Sequence, residues 1–481
     1  MKRLILMRHS QSQGNELGII QGPTNDYGLT DKGIEETYKT FHDNKKELDT
    51  INRIVSSPLK RAIQTGQVIN LCYGKENQRD SFVNNMLTEF NAGVLSGMKK
   101  VDAEKIFPEY YKIWTDRKDL DGIPDAEIGE KLQARAISFL MNYYDIDNYS
   151  ELIITHAGFL RCLLNTINGN TRTTPVDVKN AVLHIVEDPF KNLNIVRKTR
   201  AMSSKVYIVE TADGKYVVKQ KERTLDKKDE AEEKILNNLD KKINNLPIIL
   251  NMTNNKKGST KIIKYVNGRH IYGKLPEKYE NSFSDKIKLI SEQLQTQDIS
   301  AYPKRDLLAM VSKAEAKCKN IYVRMIAQTI MKDKNNIEKL KKIEYCLVHF
   351  DLNRDNVLFQ EDGEKVETNI IDWESIGLYP KDYQLASFLA SGYLLDNGNM
   401  NRAMQLAKRF NPNFDEEFVL YLMKIRLFTG IYFFAENTNS YVKSNPNVSN
   451  EILQKYITAY SQIERYKTDK EKNNLMMGEE I

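Results

Sequence analysis

The sequence predicts two successive folded domains, an α/β domain with a mostly parallel sheet over residues 1–190 and an α+β domain over residues 201–468. Three observations carry this. The chain has 481 residues, 41% of them hydrophobic and 28% charged, ordinary globular proportions spread over more length than one core uses. Over the first 190 residues, short β-rich runs alternate with helical patterns, the grammar of a parallel sheet with crossover helices. That alternation stops at Glu187-Asp188-Pro189-Phe190-Lys191-Asn192, and a hairpin followed by a long helical region takes over.

In chain order, the first domain is expected to hold strands at Lys2–Met7, Arg53–Ser57, Glu151–Thr155 and Ala181–Val186. Between them the apolar spacing places helices near Asp31–Lys46, Leu59–Cys72, Ala103–Lys118, Gly129–Tyr144 and Phe159–Ile167. A linker is expected over 191–200. Beyond it, Val206–Glu210 and Lys215–Lys219 alternate around the turn Ala212-Asp213-Gly214, which reads as a β-hairpin. A charged helix (Asp226–Leu239), a strand (Thr260–Val266), helices from about Ser284 and two short strand pairs near 345–372 follow. Residues 469–481 are polar and are expected to fray.

Composition narrows the function classes. Cys72, Cys162, Cys318 and Cys346 lie far apart with no CxxC pair, so a disulfide framework and a structural zinc site are both disfavoured and a reducing cytoplasm is expected. The apolar run after Met1-Lys2-Arg3 stops at Arg8-His9, short of the roughly 7–15 residues of an export signal. Phe418–Phe434 is interrupted by Lys424 and Arg426 and reads as a buried amphipathic helix rather than a membrane span. The net charge is +6; residues 1–195 carry 24 Lys/Arg against 26 Asp/Glu, so the positive excess belongs to the second part. Its lysines are scattered over polar helices such as Asp333–Lys342, not concentrated in a stripe with aromatics, so no nucleic-acid partner is expected. The expected partners are small-molecule substrates, with neither nucleic acid nor membrane, and no oligomeric state follows from the sequence.

Candidate chemistry falls into two groups. In the first domain, strand one runs into Arg8-His9-Ser10-Gln11-Ser12-Gln13-Gly14-Asn15, placing a histidine beside an arginine at a strand's C-terminal end, where α/β sheets hold their sites. Ser56-Ser57-Pro58-Leu59-Lys60-Arg61-Ala62 puts Arg61 in the first turn of a helix after a strand. Thr155-His156-Ala157-Gly158 puts a second histidine at another strand end, and Glu89 lies in the loop-rich stretch between. Together RHxxxxGN, SSPxxRAxxT and THxG resemble the histidine phosphatase (phosphoglycerate mutase-like) superfamily over about residues 1–190. The resemblance implies an α/β sandwich and a phosphatase rather than a mutase, with no cofactor. It assigns His9 as the nucleophile that becomes phosphohistidine. Arg8, Arg61, His156 and Asn15 are assigned to the phosphoryl group, and Glu89 to proton transfer at the leaving oxygen. Ser10 departs from the family's usual glycine.

In the second domain, His349-Phe350-Asp351-Leu352-Asn353-Arg354-Asp355-Asn356 holds H-x-D followed by x4-N, and Ile370-Ile371-Asp372 follows on a β-rich run. This is the spacing of a kinase catalytic loop and its metal-binding aspartate. Upstream, Tyr216-Val217-Val218-Lys219 places a lysine at the end of a hairpin strand, and the helix from Asp226 offers Glu230 or Glu233 to orient it. These residues resemble the aminoglycoside phosphotransferase and choline kinase superfamily over roughly 200–465. The resemblance implies a bilobal protein-kinase-like fold using ATP and Mg²⁺. Asp351 is assigned as catalytic base, Asn356 and Asp372 as Mg²⁺ ligands, and Lys219, Glu230, Ser203 and Ser204 to the nucleotide. Gln384-Leu385-Ala386 stands where relatives often carry an aspartate before Leu-Ala. The near P-loop Gly268–Leu275 lacks the Mg²⁺-binding hydroxyl and is set aside.

The combined expectation is a bifunctional phosphotransfer enzyme, a phosphatase of a small phosphorylated metabolite joined to a kinase of a small-molecule hydroxyl. Successive steps toward an activated precursor are favoured. The alternatives are an opposing switch on one metabolite and a regulatory protein with one degenerate half.

Overall fold

The computed structural model describes residues 2–23, 27–116, 120–198, 204–240, 243, 245–255, 258–300, 302–396, 398–436, 442 and 445–478. The chain forms two compact units. The first comprises Met1–Leu225 and Ile249–Tyr265, the second Asp226–Ile248 and Val266–Ile481.

The first unit is built around a five-stranded sheet of β1 (Lys2–Arg8), β2 (Arg53–Ser56), β3 (Asp80–Val83), β4 (Tyr149–Thr155) and β5 (Leu183–Glu187), in the order β3-β2-β4-β1-β5. β1, β4, β2 and β3 run parallel, and β5 joins the β1 edge antiparallel. The two-residue period of a strand splits its side chains between two cores. Leu4, Leu6 and Ile153 face one cluster, with Phe139, Leu140, Tyr143, Phe159 and Leu163 from the helices Gly129–Tyr144 and Ala157–Asn168. Ile5, Met7, Leu152 and Ile154 face the other, with Phe41, Ala62 and Ile69 from Asp31–Asp43 and Lys60–Cys72. The sheet is therefore covered on both faces, as its continuous apolar strands require.

A second sheet belongs to the same unit: β6 (Asn194–Lys198), β7 (Lys205–Thr211), β8 (Gly214–Lys221), β9 (Ile249–Asn255) and β10 (Gly258–Lys264), antiparallel in the order β6-β7-β8-β10-β9. It packs on the helix Gly129–Tyr144 through β9 and β10. Gln220 Nε2 donates to the Met141 carbonyl at 3.3 Å, Asn255 Nδ2 to Asn142 Oδ1 at 3.0 Å, and Lys205 Nζ to Asp145 at 2.9 Å. Tyr144 and Tyr207 meet edge to face, with ring centroids 5.6 Å apart. Apolar residues of this helix are buried nearly all round because it lies between two sheets.

In the second unit, β11 (Tyr345–His349) pairs antiparallel with β14 (Ile376–Pro380), and β12 (Val357–Asp362) forms a hairpin with β13 (Lys365–Ile370). The surrounding helices include Lys227–Asp240, Glu277–Leu294, Glu416–Ala435 and Pro446–Gly478. Phe283 sits edge to face with both Phe359 and Phe388 in their core.

Several expectations need correction. The helix expected over Ala103–Lys118 is two, Lys100–Ile106 and Pro108–Thr115. Pro108 lacks an N–H, and the residue before it, Phe107, is pushed to φ −130°, ψ 61°, so the chain breaks and restarts with proline in the first turn. The linker over 191–200 is partly strand, since Asn194–Lys198 pairs with β7. The strand Ile249–Asn255, unforeseen, is a sheet edge whose polar outer half shows no alternation. The tail expected to fray is helical through Gly478. Glu416–Ala435 is long and apolar enough to cross a membrane by composition, yet 78% of that window is buried, on most sides and not along one stripe.

Candidate active sites

In the first unit, Arg8, His9, Asn15, Arg61 and Glu89 line one cavity of about 480 Å³. β1 delivers Arg8 and His9 at its C-terminal end, and the His9 amide bonds to the Thr155 carbonyl at 2.9 Å, tying that end to β4 and His156. The His9 and His156 ring centroids are 5.0 Å apart. His9 Nδ1 lies 2.8 Å from the Ser10 carbonyl, which can only accept, so Nδ1 carries the proton. Arg61 Nε donates to His9 Nε2 at 3.2 Å, which leaves the lone pair on Nε2, the atom facing the cationic groups. Arg61 is 1% exposed. His156 Nε2 is 2.7 Å from Ser57 Oγ, while its Nδ1 and Arg8 Nε are buried without a hydrogen-bond partner. Such orphaned groups cost about 1–3 kcal/mol each, a cost an anion in the cavity would offset.

Burial, with the Arg61 and Arg8 guanidiniums, holds the His9 imidazole well below its usual 6.5, and burial with His9 and Arg61 does the same to His156. Both rings are therefore neutral near pH 7, the state a nitrogen nucleophile needs. Glu89 accepts from the Gly158 and Phe159 amides at the start of the helix Ala157–Asn168, at 3.1 and 3.2 Å. Gly158 makes that approach possible, since a Cβ there would fall 1.9 Å from the Phe90 ring and 2.8 Å from Glu89 Oε1. Ser10, the departure from the usual glycine, is buried with its hydroxyl 2.6 Å from Thr37 Oγ1, so the extra group is satisfied.

In the second unit, Asp351 follows β11, and its carboxylate is held on three sides. Asn353 Nδ2 donates at 2.9 Å, Asn356 Nδ2 at 3.1 Å and Arg426 Nη2 at 3.1 Å. Because the Asn356 amide nitrogen is spent on Asp351, its oxygen is the atom left to face other partners. Asp372 has φ 63°, a left-handed conformation that costs a non-glycine residue roughly 1–2 kcal/mol. The Ile371 amide bonds to the Asn356 carbonyl at 2.9 Å, bringing the two segments side by side. An amide oxygen and a carboxylate are hard donors that suit Mg²⁺, which takes few protein ligands and completes its shell with phosphate and water. Among the described residues no group of three or more His, Cys, Asp or Glu is gathered that could hold a metal. Lys228 Nζ bonds to the Glu374 carbonyl at 2.7 Å, anchoring the helix Lys227–Asp240 to the segment after Asp372.

Not every expected residue falls in place. Glu230 is on the exposed face of its helix, where the i, i+3 geometry turns Asp229 and Glu232 inward, 2% and 6% exposed. Ser203 lies outside the described residues, Ser204 is half-buried before β7, and Lys219 stands on β8 in the first unit. Gln384, standing for the usual aspartate, accepts from the His349 amide at 2.9 Å and steadies the catalytic loop. The set-aside P-loop leads into no helix; Arg269 instead exchanges backbone bonds of 2.9 Å with Phe359. Arg426 was missed as a site residue. Its sequence signal was a cation within an otherwise apolar helix, and its guanidinium lies 4.6 Å over the Phe350 ring while reaching Asp351.

Family models match both parts of the chain. The model described as "Histidine phosphatase superfamily (branch 1)" matches residues 4–197, and "Phosphotransferase enzyme family" matches 198–418. The chain is 29% identical over 171 residues to phosphoglycerate mutase-like protein 4 of Arabidopsis thaliana, covering 35% of this chain and 72% of that protein. It is 26% identical over 189 residues to a 2,3-bisphosphoglycerate-dependent phosphoglycerate mutase of Thermoplasma acidophilum, covering 39% and 88%. Similar solved structures include an α-ribazole phosphatase from Shigella flexneri (TM-score 0.34, 22% identity, 38% of this chain and 90% of that one). They also include a spectinomycin phosphotransferase in complex with ADP and spectinomycin (TM-score 0.40, 15% identity, 56% and 92%). Phosphotransferases of this family generally use ATP and Mg²⁺. The chain joins a histidine phosphatase superfamily domain, residues 4–197, to a phosphotransferase family domain, residues 198–418.

Proposed function

We propose that the chain removes a phosphate from one small metabolite through phosphohistidine and adds one to a small-molecule hydroxyl from ATP, as successive steps toward an activated precursor. The observation that carries the first half is the neutral His9 whose Nε2 lone pair faces Arg61 inside the cavity. On substrate entry Arg61 turns from Nε2 to a phosphoryl oxygen, and Arg8, His156 and Asn15 take the others. Nε2 attacks phosphorus, the P–O bond to the leaving group breaks, and Glu89 delivers a proton to that oxygen. Water then attacks phosphorus and gives a proton back to Glu89, the N–P bond breaks with its electron pair returning to His9 Nε2, and phosphate leaves.

For the second half, Asp351 accepts the acceptor hydroxyl's proton, positioned by Asn353, Asn356 and Arg426. Asn356 and Asp372 would hold Mg²⁺, whose charge would offset that of the nucleotide phosphates. Lys219 is assigned to the nucleotide. Four free cysteines support a reducing, cytoplasmic setting, and the family matches support small-molecule partners.

The test is ³¹P NMR of the full chain with ATP, Mg²⁺ and a pooled panel of sugars, amino alcohols and their phosphates. Asp351→Asn is expected to abolish a new phosphoester, and His9→Ala to make a bisphosphate accumulate. Accumulation in His9→Ala of the same monophosphate that wild type consumes would instead establish two opposing activities on one metabolite.

A further inference from the structure

The cavity holding His9 is also lined by Lys100, Arg161 and Arg172, cations additional to the arginines at the reacting histidine, and by Tyr111 and Trp114. Arg172 is held by a carboxylate. Its backbone amide donates to Asp213 Oδ2 at 2.8 Å, and its guanidinium pairs with Asp213 Oδ1 at 3.3 Å. The two side chains are 16% and 9% exposed. Asp213 sits in the turn between β7 and β8, at the tip of the hairpin whose second strand carries Lys219. An acidic residue of the phosphotransferase family segment thus braces an arginine that lines the phosphatase cavity. The other side of the Arg172 loop is fastened by Asn165 Nδ2, which donates to the Arg172 and Thr174 carbonyls at 3.2 and 2.8 Å.

Position sets what Arg172 can do. Glu89 meets Gly158 in the first turn of the helix Ala157–Asn168, whereas the Arg172 backbone lies beside Asn165, seven residues further on. At 1.5 Å per residue that is about 10 Å along the axis. Arg172 is anchored about that far along the helix from Glu89, and a cation on the cavity wall in addition to Arg8 and Arg61 is suited to a second anion.

We propose that the phosphatase substrate carries a second anionic group, a carboxylate or a phosphate, bound by Arg172, and that Asp213 is the positioning residue that aims Arg172 into the cavity. This rests on the phosphatase reading of His9. The sheet of the second family segment then completes the first segment's substrate pocket.

A matched set of probes tests this on the full chain: hexyl phosphate, 6-phosphohexanoate and hexane-1,6-diol bisphosphate. Wild type is expected to prefer at least one bis-anionic probe over hexyl phosphate by tenfold or more in kcat/KM, mainly through KM. The probe preferred tells carboxylate from phosphate. Arg172→Ala and Asp213→Asn should collapse that ratio toward one, with Asp213→Glu restoring part of it. Equal losses on all three probes, or a wild type without preference, would overturn the proposal. Should none turn over, the phosphatase reading fails on its own, and calorimetric binding of the bisphosphate to His9→Ala decides the anion site. Binding weakened tenfold by adding Arg172→Ala supports it, and unchanged binding refutes it.

Discussion

His9 shows how a side chain can be chosen for its chemistry yet activated by its surroundings. The carbonyl of Ser10 fixes the proton on Nδ1, and burial with two guanidiniums keeps the ring neutral. Imidazole ¹H–¹⁵N correlations are therefore expected to show His9 and His156 neutral on lowering the pH through 6.5, with half-protonation at or above that value contradicting the assignment. The same depression bears on stability. Below about 6.5 the unfolded chain takes up protons at these two positions that the folded chain does not, so stability falls as pH drops below that value. Thermal melts from pH 7.5 to 5 should show a decline that His156→Gln lessens. At this scale the sequence revealed residue types better than partners. The motif spacing singled out His9, Arg61, Asp351 and Asn356 as candidates, but Arg426 joins Asp351 from 75 residues away, a pairing that no local pattern encodes. Glu230 and Glu233 come from a helix that offers several acidic residues, and packing alone chooses the face: Asp229 and Glu232 are buried while Glu230 is exposed.

Among the elements, strands β1, β2 and β4 were legible from their short apolar runs, and the helix Gly129–Tyr144 from its apolar spacing. β9 and β6 were not, since an edge strand half open to water needs no such run and its pairing partner defines it. Close packing between elements also yields a prediction. Gly158 begins the helix that receives Glu89, and a methyl group there must displace the Phe90 ring. Gly158→Ala should lower the phosphatase kcat by tenfold or more while costing about 1–3 kcal/mol in stability, measured by single-turnover assay and denaturant titration. An unchanged kcat would show that Phe90 and Glu89 move independently of this helix.

On the scale of the molecule, family boundaries and packing boundaries differ. The family segments meet between residues 197 and 198, whereas the first compact unit continues through Leu225 and takes in Ile249–Tyr265. Sequence periodicity could not show this, because a composition break marks a change of local grammar and not the surface on which a sheet comes to rest. Residues 1–198 made alone should bind a hydrophobic dye and melt below the full chain, since β7–β10 would be missing from the helix Gly129–Tyr144.

That helix also limits how such a protein can change over generations. A crossover at the codon for residue 198, trading one partner enzyme for another, would transmit a helix without the sheet that shields it and a pocket arginine without Asp213. The two catalytic halves are therefore inherited as a set, and a relative that lost its second activity would still have reason to keep the first strands that once served it.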